Sequence, residues 1–230
     1  LKNITLLCLP YAGASATIYY KLRPFLQKDI NLIPIELSGR GSRFDEKLLY
    51  SFNEVVEDVV NQIKSKISKE EKYMILGYSF GSLLAYEASK RLKQKPEHLF
   101  LAAFQPPMYE MSSDLLGLED EKFIQKLVNN GGIEADLTIN LDLLKYFIPI
   151  MRADFASVES YQFDKSSEKL SCRATILYTA EDEHSDKIHK WNDIFVKACE
   201  YKLFTGNHFF IKRDYVRMAN IINRVSLRYL

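Results

Sequence analysis

The pentapeptide Gly77-Tyr78-Ser79-Phe80-Gly81 constrains this chain more than any other feature. It follows directly on a short apolar run, Tyr73–Leu76, and leads directly into a helical pattern, Phe80–Leu92. That context predicts a tight turn from a buried strand into a helix. Side chains on either side of such a turn would collide, so glycine occupies both flanks. The serine is left at the apex with its hydroxyl exposed, beside the positive end of the helix that follows.

The rest of the chain has the rhythm that such a turn requires. Ile4–Leu9, Leu32–Ile35, Tyr73–Leu76, Leu99–Phe104 and Ala174–Tyr178 read as short buried strands, with helical patterns between them. The clearest helix is Ser51–Ser68, where Phe52, Val55, Val56, Val59, Val60, Ile63 and Ile67 share one face. Ser51 and Glu54 have the spacing of a capping box at its start. Tyr215–Leu227 reads as a last helix. Strands alternating with helices predict a mostly parallel central sheet covered on both faces, in a single α/β domain over residues 1–230. One segment breaks the alternation. Pro106–Tyr161 shows helical patterns and no strand: Glu119–Val128, stopped by Gly131 and Gly132, then Leu141–Val158 with a kink expected at Pro149. This reads as a helical lid insertion. The apolar face of its second helix, Leu144, Phe147, Ile148, Met151 and Phe155, reads either as the support of a pocket or, for most of those residues, as packing on the sheet.

A serine is a weak nucleophile near neutral pH and needs a base to take its proton and a carboxylate to orient that base. In the fold built around such an elbow, the α/β-hydrolase, the chain order is serine, acid, histidine. His98 begins a strand, which puts it at the far edge of the sheet, and His184 and His189 follow the Ala174–Tyr178 strand too closely. His208, in Phe204-Thr205-Gly206-Asn207-His208-Phe209-Phe210, comes after the last strand pattern and is the expected base. The acid is expected in Thr179-Ala180-Glu181-Asp182-Glu183-His184-Ser185-Asp186, with Asp182 chosen among four carboxylates. The corresponding segment one strand earlier, Phe104-Gln105-Pro106, offers none. Acyl transfer also needs donors for an oxyanion. The backbone N–H of Phe80 is one, and that of Ala12, in the small-residue loop Pro10-Tyr11-Ala12-Gly13-Ala14, is the other.

Composition narrows the alternatives. With 230 residues, 47% hydrophobic, 27% charged and a formal net charge of +1, the chain is ordinary globular protein and lacks the basic excess of a nucleic-acid binder. No apolar run approaches the ~20 residues of a membrane span. The apolar stretch at the start is too short for a signal peptide, and the missing initiator Met points to a short start outside this numbering. Cys8, Cys172 and Cys199 are odd in number and without metal-site spacing, as expected of free thiols in the cytoplasm. The basic run Lys90, Arg91, Lys93 and Lys95 is tempting as a docking patch. It lies at the far end of the helix that begins at Ser79, ~20 Å away, and reads better as a complement to the helix dipole.

Taken together these segments resemble the type II thioesterases that accompany non-ribosomal peptide and polyketide synthases, almost end to end. Pro10-Tyr11-Ala12-Gly13 resembles the family's aromatic-Ala-Gly-Gly loop, and Ser38-Gly39-Arg40-Gly41 its Pro-Gly-Arg-Gly turn. Asn130-Gly131-Gly132 and Arg152-Ala153-Asp154-Phe155 match landmarks in the lid, and Gly206-Asn207-His208-Phe209-Phe210 matches its Gly-Gly-His-Phe segment. The resemblance implies hydrolysis of stalled or incorrect acyl groups from the phosphopantetheine arms of acyl or peptidyl carrier domains. It implies no metal or other cofactor, and a monomer is expected. The triad it implies is Ser79, Asp182 and His208. Three positions depart from the family pattern: Tyr78 stands for a His, Ala14 for a Gly, and Glu183 for a Pro. Two other readings remain at this point, a general carboxylesterase and a silent hydrolase fold that only binds a carrier.

Overall fold

The computed structural model describes residues 3–111, 115–129, 141–182 and 185–230, and of residues 141–143 the backbone alone. Among the described residues six strands form one sheet: β1 (Ile4–Leu9), β2 (Ile30–Pro34), β3 (Tyr73–Tyr78), β4 (His98–Ala102), β5 (Arg173–Thr179) and β6 (Glu200–Phe204). Their order is β2-β1-β3-β4-β5-β6, and each neighbouring pair is parallel. The five expected strands are all present. β4 stops earlier than its apolar run because Ala103, at φ 51°, leaves the extended region, and it starts one residue earlier, at His98, which pairs with Met74. The sixth, Glu-Tyr-Lys-Leu-Phe, stands at the edge of the sheet beside β5, and its alternating composition hides it from a search for continuous apolar runs.

Alternation along the strands divides the core in two. Leu7, Leu9, Tyr73, Ile75, Leu99, Leu101, Ala174 and Ile176 face a layer built from α1 (Phe52–Lys66), α2 (Phe80–Arg91) and the 3-10 segment Ser185–Ile194. Ile4, Leu6, Cys8, Met74, Leu76, Phe100 and Leu177 face the other way, against α5 (Tyr215–Ser226) and the turn that carries Tyr19 and Leu22. Burial on both faces is why the central strands are almost continuously apolar, with Thr5 and His98 as buried polar exceptions. The three cysteines are free and buried.

The start of α1 corrects one expectation. Ser51 occupies the N-cap, but its side chain makes no capping hydrogen bond. The N–H of Phe52 instead donates to Ser160 Oγ at 2.9 Å, so a residue from 108 positions away does part of the cap's work.

Between β4 and β5 the chain forms α3 (Asp120–Asn129) and α4 (Leu141–Glu159), and among the described residues of this segment there is no strand. Pro149 lies within α4 without ending it. The stop expected at Gly131 and Gly132 lies outside the described residues, as does Asn130. The apolar face of α4 does not serve chiefly to cover the sheet. Leu144, Ile148 and Met151 close with Leu115, Phe123 and Leu127 into a separate small core, against which Phe155 packs. Phe147 is partly exposed instead, at 38%. Among the described residues no helix is long and apolar enough to cross a membrane.

Candidate active site

Ser79 sits where β3 hands over to α2, next to β1, whose other neighbour is β2. This is the point at which the strand order reverses, and clefts at the carboxyl ends of strands form there. Its backbone is forced into φ 51°, ψ −118°, a region side-chain-bearing residues avoid. The turn is held by the N–H of Ser79, which donates to Ala102 O at 2.7 Å, and by that of Ser82, which donates to Ser79 O at 2.7 Å. The two flanking glycines are explained by close approach. A Cβ on Gly77 would overlap the backbone of Gly81 and Ser82, and one on Gly81 would overlap the carbonyls of Leu9 and Pro10. The start of α2 therefore lies directly against the end of β1 and the loop after it.

His208 lies 129 residues away in sequence, and its Nε2 is 3.0 Å from Ser79 Oγ. Its Nδ1 lies 3.0 and 2.9 Å from Asp182 Oδ1 and Oδ2. The histidine and the carboxylate are both part-buried, their side chains 29% and 19% exposed. Of the competing acids, Glu183 lies outside the described residues, as does His184. Gln105, where a carboxylate is lacking, borders a cavity of about 10 Å³ together with Asp182.

Two anchors that the sequence reading missed hold the histidine loop. Tyr78 is fully buried, and its hydroxyl donates to His208 O at 2.6 Å while accepting from the N–H of Ile211 at 3.2 Å. Burial raises its pKa well above the usual tyrosine value, so the hydroxyl remains a donor. The Thr179 hydroxyl, at the end of β5, donates to Gly206 O. Position 78 was visible as a departure from the family pattern. Only the folded chain shows where its hydroxyl goes.

The loop after β1 is equally well held. The N–H of Ala14 donates to Tyr11 O at 3.0 Å, and that of Gly13 to Asp154 Oδ2 at 2.6 Å. Gly13 is left-handed at φ 79°, whereas Ala14 is not, so the alanine in place of a second glycine does not disturb the turn. Arg40 and Asp154, apart in sequence and each part of a family landmark, form a two-pronged ion pair at 2.5 and 2.6 Å.

Of the basic run, Lys95 serves the helix terminus, while Lys90 pairs with Glu87 and Arg91 with Glu57. Lys95 Nζ donates to Ser89 O and Lys90 O, each at 2.9 Å, at the carboxyl end of α2.

The fold is that of the α/β-hydrolases, and its serine, imidazole and carboxylate stand in hydrogen-bonding sequence at the sheet's carboxyl edge. The model of the thioesterase domain family matches residues 4–226, and the chain belongs to that family. Acyl thioester hydrolysis is the activity that this membership supports. The chain is 29% identical over 227 residues to the gramicidin S biosynthesis protein GrsT of Aneurinibacillus migulanus, covering 96% of this chain and 88% of that protein. It is 27% identical over 216 residues to the medium-chain S-acyl fatty acid synthase thioesterase of Rattus norvegicus, covering 90% and 81%. Among solved structures, ClbQ from the colibactin synthesis pathway superposes with a TM-score of 0.90 at 29% identity, covering 96% of each chain.

Proposed function

We propose that this chain releases acyl groups from the phosphopantetheine arms of carrier domains through an acyl-Ser79 intermediate, and so clears stalled or incorrect groups from a peptide or polyketide synthase. The observation that carries the chemistry is the continuous chain from Ser79 Oγ through His208 to Asp182, set on a strained turn. His208 Nε2 takes the proton as Ser79 Oγ attacks the thioester carbonyl. Asp182 orients the ring and stabilises the imidazolium. The carbonyl oxygen becomes an oxyanion, received by the N–H groups of Phe80 and Ala12. Ala12 is favoured because the N–H groups of Gly13 and Ala14 are already engaged. Collapse breaks the C–S bond, and His208 returns the proton to the departing sulfur. Water, activated by the same imidazole, then frees the acid and regenerates Ser79. No step calls on a metal or other cofactor.

The carrier part of the reading is supported by the relatives, since GrsT and ClbQ belong to pathways of this kind. The helical segment Pro106–Tyr161 would act as the lid within the single domain. Its α4 lies against the loop after β1, with Met151 beside Gly13, which supports a lid that shapes the approach to Ser79. Binding energy from a remote carrier should raise kcat/KM. The test is to measure kcat/KM for one acyl group on a carrier domain, on coenzyme A and on a simple alcohol. The carrier should be preferred. If the simple ester matches or exceeds it, the chain acts as a carboxylesterase. If none is turned over and a fluorophosphonate fails to label Ser79, the fold is a silent binder.

A further inference from the structure

The Arg40–Asp154 pair is nearly inaccessible to water, with the two residues 5% and 1% exposed. Its partners come from separate parts of the chain, Arg40 from the loop after β2 and Asp154 from α4. Two buried charges are costly to desolvate, and well-packed apolar residues often serve stability equally well. The pair's contacts point to a different role. Asp154 Oδ2 accepts at once from Arg40 Nη1 at 2.5 Å and from the backbone N–H of Gly13 at 2.6 Å. Asp154 Oδ1 accepts from Arg40 Nη2 at 2.6 Å. α4 also packs directly on Gly13: a Cβ there would stand 2.5 Å from Met151 Cγ. The carboxylate thus grips the peptide unit next to the one that carries the Ala12 N–H.

We propose that Asp154, locked in place by Arg40, is a positioning residue that aims the oxyanion-binding loop, so that the helical segment between β4 and β5 takes part in transition-state stabilisation. The inference rests on the acyl-serine reading above. Arg40 holds both carboxylate oxygens and leaves Asp154 one orientation. Asp154 sets the Ala12–Gly13 peptide, and the preceding N–H is thereby directed toward the carbonyl oxygen over Ser79. On its far side the loop has a second grip. Glu36 Oε1 accepts from the Ala16 N–H at 3.0 Å, and Glu36 Oε2 accepts from Ser15 Oγ at 2.6 Å. Losing Asp154 should therefore misaim the loop rather than release it.

The test is the double variant Arg40→Met/Asp154→Leu, which removes both charges together and leaves neither stranded. It should melt close to the wild type, with KM for an acyl coenzyme A within about threefold. Its kcat should fall ~10²- to 10³-fold, the scale of losing one oxyanion donor. Affinity for a trifluoromethyl ketone, which forms a tetrahedral oxyanion on the serine, should fall in parallel. A folded double variant with kcat and ketone affinity near wild type overturns the proposal. If the double variant does not fold, Asp154→Glu decides the matter. It keeps the charge but moves the acceptor by one methylene, so the proposal requires a lower kcat at an unchanged KM, and a folded Asp154→Glu enzyme of wild-type kcat overturns it. Ser79→Ala is measured alongside. Activity retained there sinks the acyl-serine reading itself, whereas an inactive Ser79→Ala beside fully active pair variants sinks only the role of Asp154.

Discussion

His208 and His98 use the same side chain at opposite edges of one sheet, and each has a hydrogen-bonding partner on both ring nitrogens. His208 stands past the carboxyl ends of the strands between Ser79 Oγ and the Asp182 carboxylate, with part of its ring open to water. His98 begins β4, is fully buried, and lies between Thr175 Oγ1 at 2.8 Å and Tyr229 OH at 3.1 Å. Its partners are neutral hydroxyls, and burial lowers its pKa to about 4. What separates His208 from an imidazole that only fills a core is the nearby carboxylate and a ring part-open to water. Hydrogen bonding alone does not distinguish them.

The comparison breaks most directly at the two histidines, and then at the acid. His208→Gln should lower kcat by at least ~10³-fold, whereas His98→Gln should leave kcat near wild type in folded protein. Comparable losses in both would mean that the assignment of His208 as base has no special standing. Asp182→Asn removes the charge that favours the imidazolium and the correct tautomer, and should cost ~10²- to 10⁴-fold in kcat. Neutralising Glu181 or Asp186 should change kcat less than about threefold. A severe loss at either of those instead would move the acid by that many residues.

Most of this end of the molecule was legible in the sequence because its constraints are local. The elbow needs two glycines within five residues, and the order of serine, acid and histidine follows from the order of the strands. What stayed hidden depends on contacts between distant segments. Nothing near Tyr78 indicates that its hydroxyl meets the backbone of His208, 130 residues on, and nothing near Asp154 indicates Gly13, 141 residues back. The capping box at Ser51 failed for the same reason: Ser160, from the end of α4, occupies the donor at Phe52. The apolar face of α4 was visible as a pattern, but a pattern does not say what it packs on, and α3 rather than the sheet takes most of it. β6 was missed because an edge strand has no need of the continuous apolar run by which the central strands were recognised.

A milder change sharpens the account of the histidine loop. Tyr78→Phe keeps the buried ring but removes the hydroxyl that bridges His208 O and the Ile211 N–H. Two backbone groups lose a partner, at a cost of about 1–3 kcal/mol of stability. The imidazole should then sample orientations away from Ser79, lowering kcat by about tenfold with KM little changed. Steady-state kinetics on one acyl coenzyme A, paired with a thermal melt, reads both effects. A drop in melting temperature at constant kcat would show that Tyr78 supports the fold without orienting the base.

The smallest effect belongs to His98 and concerns stability rather than rate. Burial favours its neutral form, so the folded pKa of about 4 lies below the ordinary unfolded value of about 6.5. Between those values the unfolded chain binds a proton that the folded chain refuses, and stability must fall as pH drops through that window. Above it both states are neutral and the contribution is flat. The expected loss on moving from about pH 8 to about pH 5 is on the order of 2 kcal/mol. Glu200 and Arg228 lie close enough to perturb the ring, but Arg228 holds the Glu200 carboxyl below its ordinary value, so that carboxylate is still ionised at the lower pH. Urea unfolding of the wild type and of His98→Gln at both pH values isolates the linkage, because any packing defect of the variant is common to the two conditions. The variant should lose less stability than the wild type over the same interval. An identical pH dependence would mean that His98 takes up its proton without unfolding, and the contrast with His208 would then rest on the carboxylate and the part-open ring alone.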